Sequence, residues 1–259
     1  MKFIDAHIHL PDDEYAQCTD DIIAEAKNAN VVALVSNAMD LKTCQANIQL
    51  AQRYPNLVYA ALGIHPWNVQ TLTDDELDRT TEFIEQQKES KAFTAIGEIG
   101  LDSKYMNIWD KQITVFDKML HLAEKLDRPA IIHSRGTTVQ IVDMLPSYRV
   151  KRVLLHWFSN PISALAKAID QGCYISEGPP TVYSNGIRDV VKHAPLTNLM
   201  TETDGPVRYF KQPFNGNRTT PAFIPMVVKA VAELKNMDCV NVAEQILANF
   251  EGFFGVRLN

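Results

Sequence analysis

Eight short apolar runs, with amphipathic stretches between them, restrict the folds open to this chain more than any other feature of its sequence. They read KFIDAHIH (2–9), VVALVSN (31–37), LVYAALGIH (57–65), AFTAIGEIG (92–100), PAIIHS (129–134), RVLLHWF (152–158), CYISE (173–177) and LMTETD (199–204). Most are almost continuously hydrophobic, as parallel strands covered on both faces must be. Between the runs the apolar residues recur at helical spacing. In 108–126 they are Ile108, Val115, Phe116, Met119, Leu122 and Ala123, and two further helices are expected over 220–235 and 240–254. Eight βα repeats without a low-complexity linker predict an α/β fold: a (β/α)8 TIM barrel of parallel strands, one domain over 1–259, with an extra C-terminal helix. An open doubly wound sheet is the alternative, but no GxGxxG follows a strand to support it.

A barrel places its chemistry at the C-terminal ends of the strands, where the βα loops form the active face. His7 and His9 close the first run, His65 the third, and Glu98 lies near the end of the fourth. His133, His156 and Asp204 lie at or near the ends of the fifth, sixth and eighth. Residues two apart on a strand share a face, so His7 and His9 can reach one ion, and Glu202 and Asp204 repeat the device. A single histidine at a strand end is usually a hydrogen-bonded structural residue. Five at equivalent ends, joined by carboxylates that cannot be buried unpaired, point instead to divalent metal, with donors enough for two ions.

Composition narrows the setting. The formal net charge of −6 over 259 residues argues against bulk electrostatic capture of nucleic acid. Cys18, Cys44, Cys173 and Cys239 form no CxxC pair, which suits a reduced, cytoplasmic protein. Asp5, His7 and His9 interrupt the first apolar run and exclude it as a signal-peptide core, and no run has the length of a membrane span.

Other residues carry weaker signals. Asp102 can either orient a histidine or cap the following turn. Lys104, Arg135, Arg208 and Arg218 follow strands and are able to neutralise a phosphate, although basic loop residues are commonly just solvated. Trp67 and Trp157 flank the mouth, where a base or sugar can stack, although rim packing is the commoner use of such a residue. His121 and His193 lie in helical segments and are read as solvated or boundary residues.

Seven landmarks occur in order: DAHIHL (5–10), GIHP (63–66), AIGEIGLD (95–102), Gln112 with its helix, IIHSR (131–135), HWFS (156–159) and ETDGP (202–206). With them the chain resembles, nearly end to end, the TatD-type metal-dependent hydrolases, a branch of the amidohydrolase-like barrels. The resemblance implies that His7, His9, Glu98 and Asp204 hold one metal, and that Glu98, His133 and His156 hold a second, with Glu98 bridging. The ions would be Mg²⁺, Mn²⁺ or Zn²⁺. It implies a phosphodiesterase, most simply a deoxyribonuclease of 3′–5′ exonuclease type, using a metal-activated water. Asp204 would be the base, with Glu98, Glu202 and His65 beside the reacting centre. Arg135, Arg208, Lys104 and Trp67 are the candidate contacts to DNA or another phosphodiester. The chain departs from the family pattern at Ser103 and Lys104, at Asn160 of HWFSN, and at RTTP (218–221) after YFKQPFNGN (209–217). Hydrolysis of an amide, ester or lactone, or a role as a component of a larger assembly, are the rival readings. The sequence specifies no protein partner and no membrane attachment; a monomer is the simplest expectation.

Overall fold

A computed structural model describes residues 1–159 and 161–258; Asn160 and Asn259 lie outside the described residues. The strands are β1 (Phe3–Ile8), β2 (Val31–Asn37), β3 (Val58–Leu62), β4 (Phe93–Gly100), β5 (Ala130–His133), β6 (Val153–Leu155), β7 (Tyr174–Glu177) and β8 (Leu199–Thr201). They alternate with helices α1 (Thr19–Asn28), α2 (Leu41–Arg53), α3 (Asp74–Gln86), α4 (Trp109–Leu126), α5 (Thr138–Met144), α6 (Ile162–Asp170), α7 (Asn185–His193) and α8 (Ile224–Lys235), and α9 (Cys239–Phe254) follows.

The strands are parallel and paired in chain order, β1 to β8. The seam between β8 and β1 closes through Thr201 Oγ1, which donates to Ile4 O at 2.8 Å. Above it the Asp204 N–H donates to His7 O at 2.9 Å and the His9 N–H to Gly205 O at 2.8 Å. The expected barrel with its C-terminal helix is therefore the observed fold. Local chemistry sets the helix starts: Asp40 and Thr43 form a capping box on α2, and Thr73 and Glu76 form one on α3.

Helix α9 covers the seam from outside. Asn249 donates through Nδ2 to Leu196 O at 2.7 Å and Leu199 O at 2.8 Å, tying the helix to β8. Its neighbour Phe250 is fully buried, with ring centroids 4.6 Å from Phe254 and 6.1 Å from Tyr59 on β3. Phe250→Ala removes a ring the surrounding layer cannot refill, so it should destabilise the fold by about 3–5 kcal/mol. Denaturant unfolding of the two proteins checks this.

Three strands end three residues before the runs that announce them do. The ladder ends at Leu62, Leu155 and Thr201, before His65, His156, Glu202 and Asp204. Beyond those points the backbone turns to aim side chains into the mouth. Trp157 (φ 40°) and Asp204 (φ 47°) adopt the left-handed region, which costs a bulky or branched residue about 1–3 kcal/mol. Hydrogen bonds hold both: the Trp157 N–H to Glu202 Oε1 at 3.0 Å, and the Asp204 N–H to His7 O.

Candidate metal centre

Glu98, near the end of β4, is the hub. It is buried, and both carboxylate oxygens face imidazole nitrogens. Oε2 lies 3.2 Å from His7 Nε2 and 3.2 Å from His9 Nε2. Oε1 lies 2.7 Å from His156 Nε2, 2.9 Å from His133 Nδ1 and 3.2 Å from His65 Nε2. Asp204 Oδ1 stands 3.4 Å from His7 Nε2 and 3.6 Å from His9 Nε2, and these two nitrogens are 3.1 Å apart. Residues from β1, the loop after β3, β4, β5 and the loops after β6 and β8 thus converge, although they are distant in sequence.

The donor chemistry fits divalent cations. Nitrogen and oxygen ligands at about 2.0–2.1 Å from a tetrahedral ion lie about 3.4 Å from one another, close to the separations around His7, His9 and Asp204. Glu98 Oε2 is buried and receives no hydrogen bond from the protein. A carboxylate oxygen in that position, between two imidazole nitrogens, calls for a cation. The donor atoms form three overlapping groups: His7, His9 and Asp204; His7, Glu98 and His156; His65, Glu98 and His133.

The charge balance follows from the packing. Burial works against ionising Glu98, but the imidazoles of His65, His156 and His7 outweigh it and hold its carboxyl well below the usual range. Burial pushes Asp204 up to about 7. It also pushes the His65 imidazole down to about 4, so this ring is neutral at physiological pH.

A second layer orients these groups. Asp5 accepts the His7 N–H at 3.2 Å and the Thr203 N–H at 3.0 Å, joining β1 to the strand-eight loop that carries Asp204. Asp102 was open between capping a turn and orienting a histidine, and it does both. Its Oδ1 accepts the Lys104 N–H at 2.8 Å, while Oδ2 accepts His133 Nε2–H at 3.0 Å and Trp67 Nε1–H at 2.6 Å. Glu202 sits behind His156, with Oε1 3.7 Å from His156 Nδ1, while Oε2 is bound to the Ser176 hydroxyl. Asp102→Asn should lower turnover about 10- to 100-fold by releasing His133. Paired measurements of kcat and bound metal check this, with the metal content expected to fall as well.

The rim beside His65 is aromatic and cationic. Trp67 is 42% exposed. Arg135 donates through Nε to Asp102 Oδ1 at 3.2 Å, and its guanidinium lies 5.8 Å from the Trp67 ring centre. Lys104 Nζ lies 6.0 Å from the same ring centre. Arg208 is committed elsewhere: it pairs with Glu14 and donates to Gly216 O at 2.9 Å. Arg218 pairs with Glu25 at 3.0 Å. Half of the basic residues expected to meet phosphate are thus neutralised by acids from the first βα segment. His121 and His193 are exposed on α4 and α7, as their positions suggest. Sequence reasoning passed over the roles of Asp5 and Ser176. Of these only Asp5 left a sign, being two residues before His7 on one strand face.

A model of the TatD related DNase family matches residues 4–255. The chain belongs to this family. An uncharacterized metal-dependent hydrolase of Methanocaldococcus jannaschii is 30% identical over 258 residues, covering 100% of this chain and 99% of the relative. The human deoxyribonuclease TATDN3 is 30% identical over 260 residues, covering 96% of this chain and 93% of the relative. The crystal structure of YjjV, a TatD homolog from Escherichia coli, superposes with a TM-score of 0.92 at 27% identity and 98% coverage of each chain. Membership of the TatD related DNase family accounts for the motif order, and the barrel accounts for why those motifs meet. Among the described residues, no helix is long and apolar enough to cross a membrane.

Proposed function

We propose that this TatD-family chain is a metal-dependent phosphodiesterase acting on DNA, most simply from a 3′ end, and working as a single catalytic domain. One observation carries the reading: Glu98 presents each carboxylate oxygen to a different set of imidazoles, the arrangement a carboxylate needs to bridge two cations. His7, His9, Asp204 and Glu98 would hold one ion; Glu98, His156 and His133 would hold the other. Bound there, Mg²⁺, Mn²⁺ or Zn²⁺ would supply an activated water and offset charge growing on the phosphoryl oxygens.

The chain's own residues supply the rest. Asp204, which a bound cation would hold as the carboxylate, takes the proton from the attacking water. Arg135 pairs with a nonbridging phosphate oxygen while Asp102 keeps its guanidinium aimed across the Trp67 ring. Trp67 offers its exposed face to a base, a sequence-tolerant contact suited to single strands. Lys104 approaches the same ring from its own loop and meets the next phosphate. Glu202 and Asp102 act through His156 and His133, keeping their inner nitrogens aimed at Glu98.

The test is a substrate panel with metal-stripped protein resupplied with Mg²⁺, Mn²⁺ or Zn²⁺. Single-stranded and duplex DNA, RNA, bis-(p-nitrophenyl) phosphate and carboxylic esters are compared. Metal-dependent cleavage of the phosphodiesters, fastest on single-stranded DNA ends, is expected. Turnover confined to the carboxylic esters would contradict the proposal.

A further inference from the structure

Where an imidazole makes an outer hydrogen bond, as His9, His65 and His133 do, that contact decides what its inner nitrogen can do, because a backbone N–H only donates and a carbonyl or carboxylate only accepts. His9 Nδ1 lies 3.1 Å from Asn37 O, so that nitrogen carries the proton and Nε2 keeps its lone pair for a cation. His133 Nε2 lies 3.0 Å from Asp102 Oδ2, which leaves Nδ1 as the bare nitrogen. His156 Nδ1 lies 3.7 Å from Glu202 Oε1 and makes no hydrogen bond within the protein, so its outer side fixes no tautomer.

His65 has the opposite arrangement. Its Nδ1 accepts the Trp67 backbone N–H at 3.1 Å, as the cap of a 3₁₀ turn over Pro66–Asn68. Nδ1 is therefore unprotonated, and a neutral ring must carry its proton on Nε2, the nitrogen that points inward. That nitrogen is 3.2 Å from Glu98 Oε1 and 3.3 Å from His133 Nδ1. By distance alone, His65, Glu98 and His133 make a ligand triad. Protonation of Nε2 rules His65 out of it. An N–H has no lone pair for a cation, and moving the proton to Nδ1 would set it against the Trp67 N–H.

We propose that His65 is not a metal ligand but a fixed N–H donor to the phosphoryl group, resting on the metal-dependent reading of this site. Without a cation, its proton is shared with the bare Nδ1 of His133 and with Glu98. With a cation held there, the His133 lone pair would be taken up and the His65 N–H would be free for an oxygen of the substrate. His65 stands on the Trp67 side of the centre, with ring centroids 5.0 Å apart, and Arg135 reaches the same tryptophan. A phosphate paired with Arg135 at this rim would thus meet the neutral His65 ring as a further hydrogen-bond donor. A neutral imidazole used as an electrophile has precedent in other barrels. The ring does not exchange its proton in this role: it hydrogen-bonds the oxyanion through substrate binding and the transition state.

The experiment compares wild type with His65→Gln, whose amide nitrogen restores a donor at similar reach, and with His65→Ala. Bound zinc is counted and the affinity of the zinc-loaded proteins for inorganic phosphate is measured. Both variants should retain the wild-type number of ions. Phosphate binding should weaken by about 10-fold or more in the alanine variant and recover to within a few-fold in the glutamine variant. Long-range proton–nitrogen NMR of zinc-loaded wild type, with labelled histidine, should show His65 protonated at Nε2 only. Loss of one ion in both variants, an unprotonated Nε2 in the loaded wild type, or unchanged phosphate affinity in the alanine variant would overturn the assignment. Wild-type protein that takes up no divalent ion would overturn the underlying reading, and this one with it.

Discussion

Glu98→Gln is expected to reduce phosphodiester hydrolysis on the order of 1,000-fold or more, and to lower the number of bound ions rather than only their affinity. Removing an outer partner of a metal ligand costs about 10- to 100-fold, and Glu98 is not an outer partner. Its two oxygens stand within 3.2 Å of nitrogens from His7, His9, His65, His133 and His156. A glutamine keeps the volume but loses the charge, and it turns an NH₂ towards one of these sets, where bare nitrogens and a cation would have to share the space. The folded chain should survive, because neutralising one carboxylate leaves the imidazoles neutral and able to bond to the amide. Near-normal unfolding midpoints beside lost metal and lost turnover would separate this effect from a collapse of the barrel. Retained turnover with full metal content would refute the hub role.

Asp204→Asn should lower kcat about 100- to 10,000-fold, the range associated with a general base, and should change how metal uptake depends on pH. Burial pushes the Asp204 carboxyl from 3.8 to about 7. An acid whose pKa is higher in the folded state binds its proton more tightly there. Its contribution to stability is complete below the unfolded value and declines as pH rises towards about 7. A divalent ion reverses this, because it requires the carboxylate. Wild-type metal affinity should therefore rise through about pH 7, by about tenfold per pH unit below it for this one proton. Titrations of wild type and Asp204→Asn between pH 5 and 8 check the point. The variant should bind more weakly and lose that part of the slope. Equal slopes would assign the proton elsewhere.

Much of this architecture was legible from periodicity. His7 and His9 belong together because a strand repeats every two residues, and both do reach Glu98 Oε2. The same rule applied to Glu202 and Asp204 separates two residues that act in different places. The ladder ends at Thr201 and Asp204 turns left-handed, so Asp204 meets His7 while Glu202 passes behind His156. A local repeat has no force once the backbone leaves the sheet. Arg208 looked free in its loop, but Glu14, far away in the chain, pairs with it. The proton on His65 is likewise invisible in a string of letters, since it depends on the turn that presents the Trp67 N–H. Asp102 serves four donors at once, which neither of its sequence readings alone contained.

The central claim is that imidazoles and carboxylates gathered from six segments of the chain bind divalent ions at the barrel mouth. Calorimetric titration of the metal-stripped protein with Zn²⁺ or Mn²⁺ at neutral pH tests it most directly. Two ions per chain are predicted, with proton release accompanying their binding. A chain that takes up none under saturating supply would contradict the account.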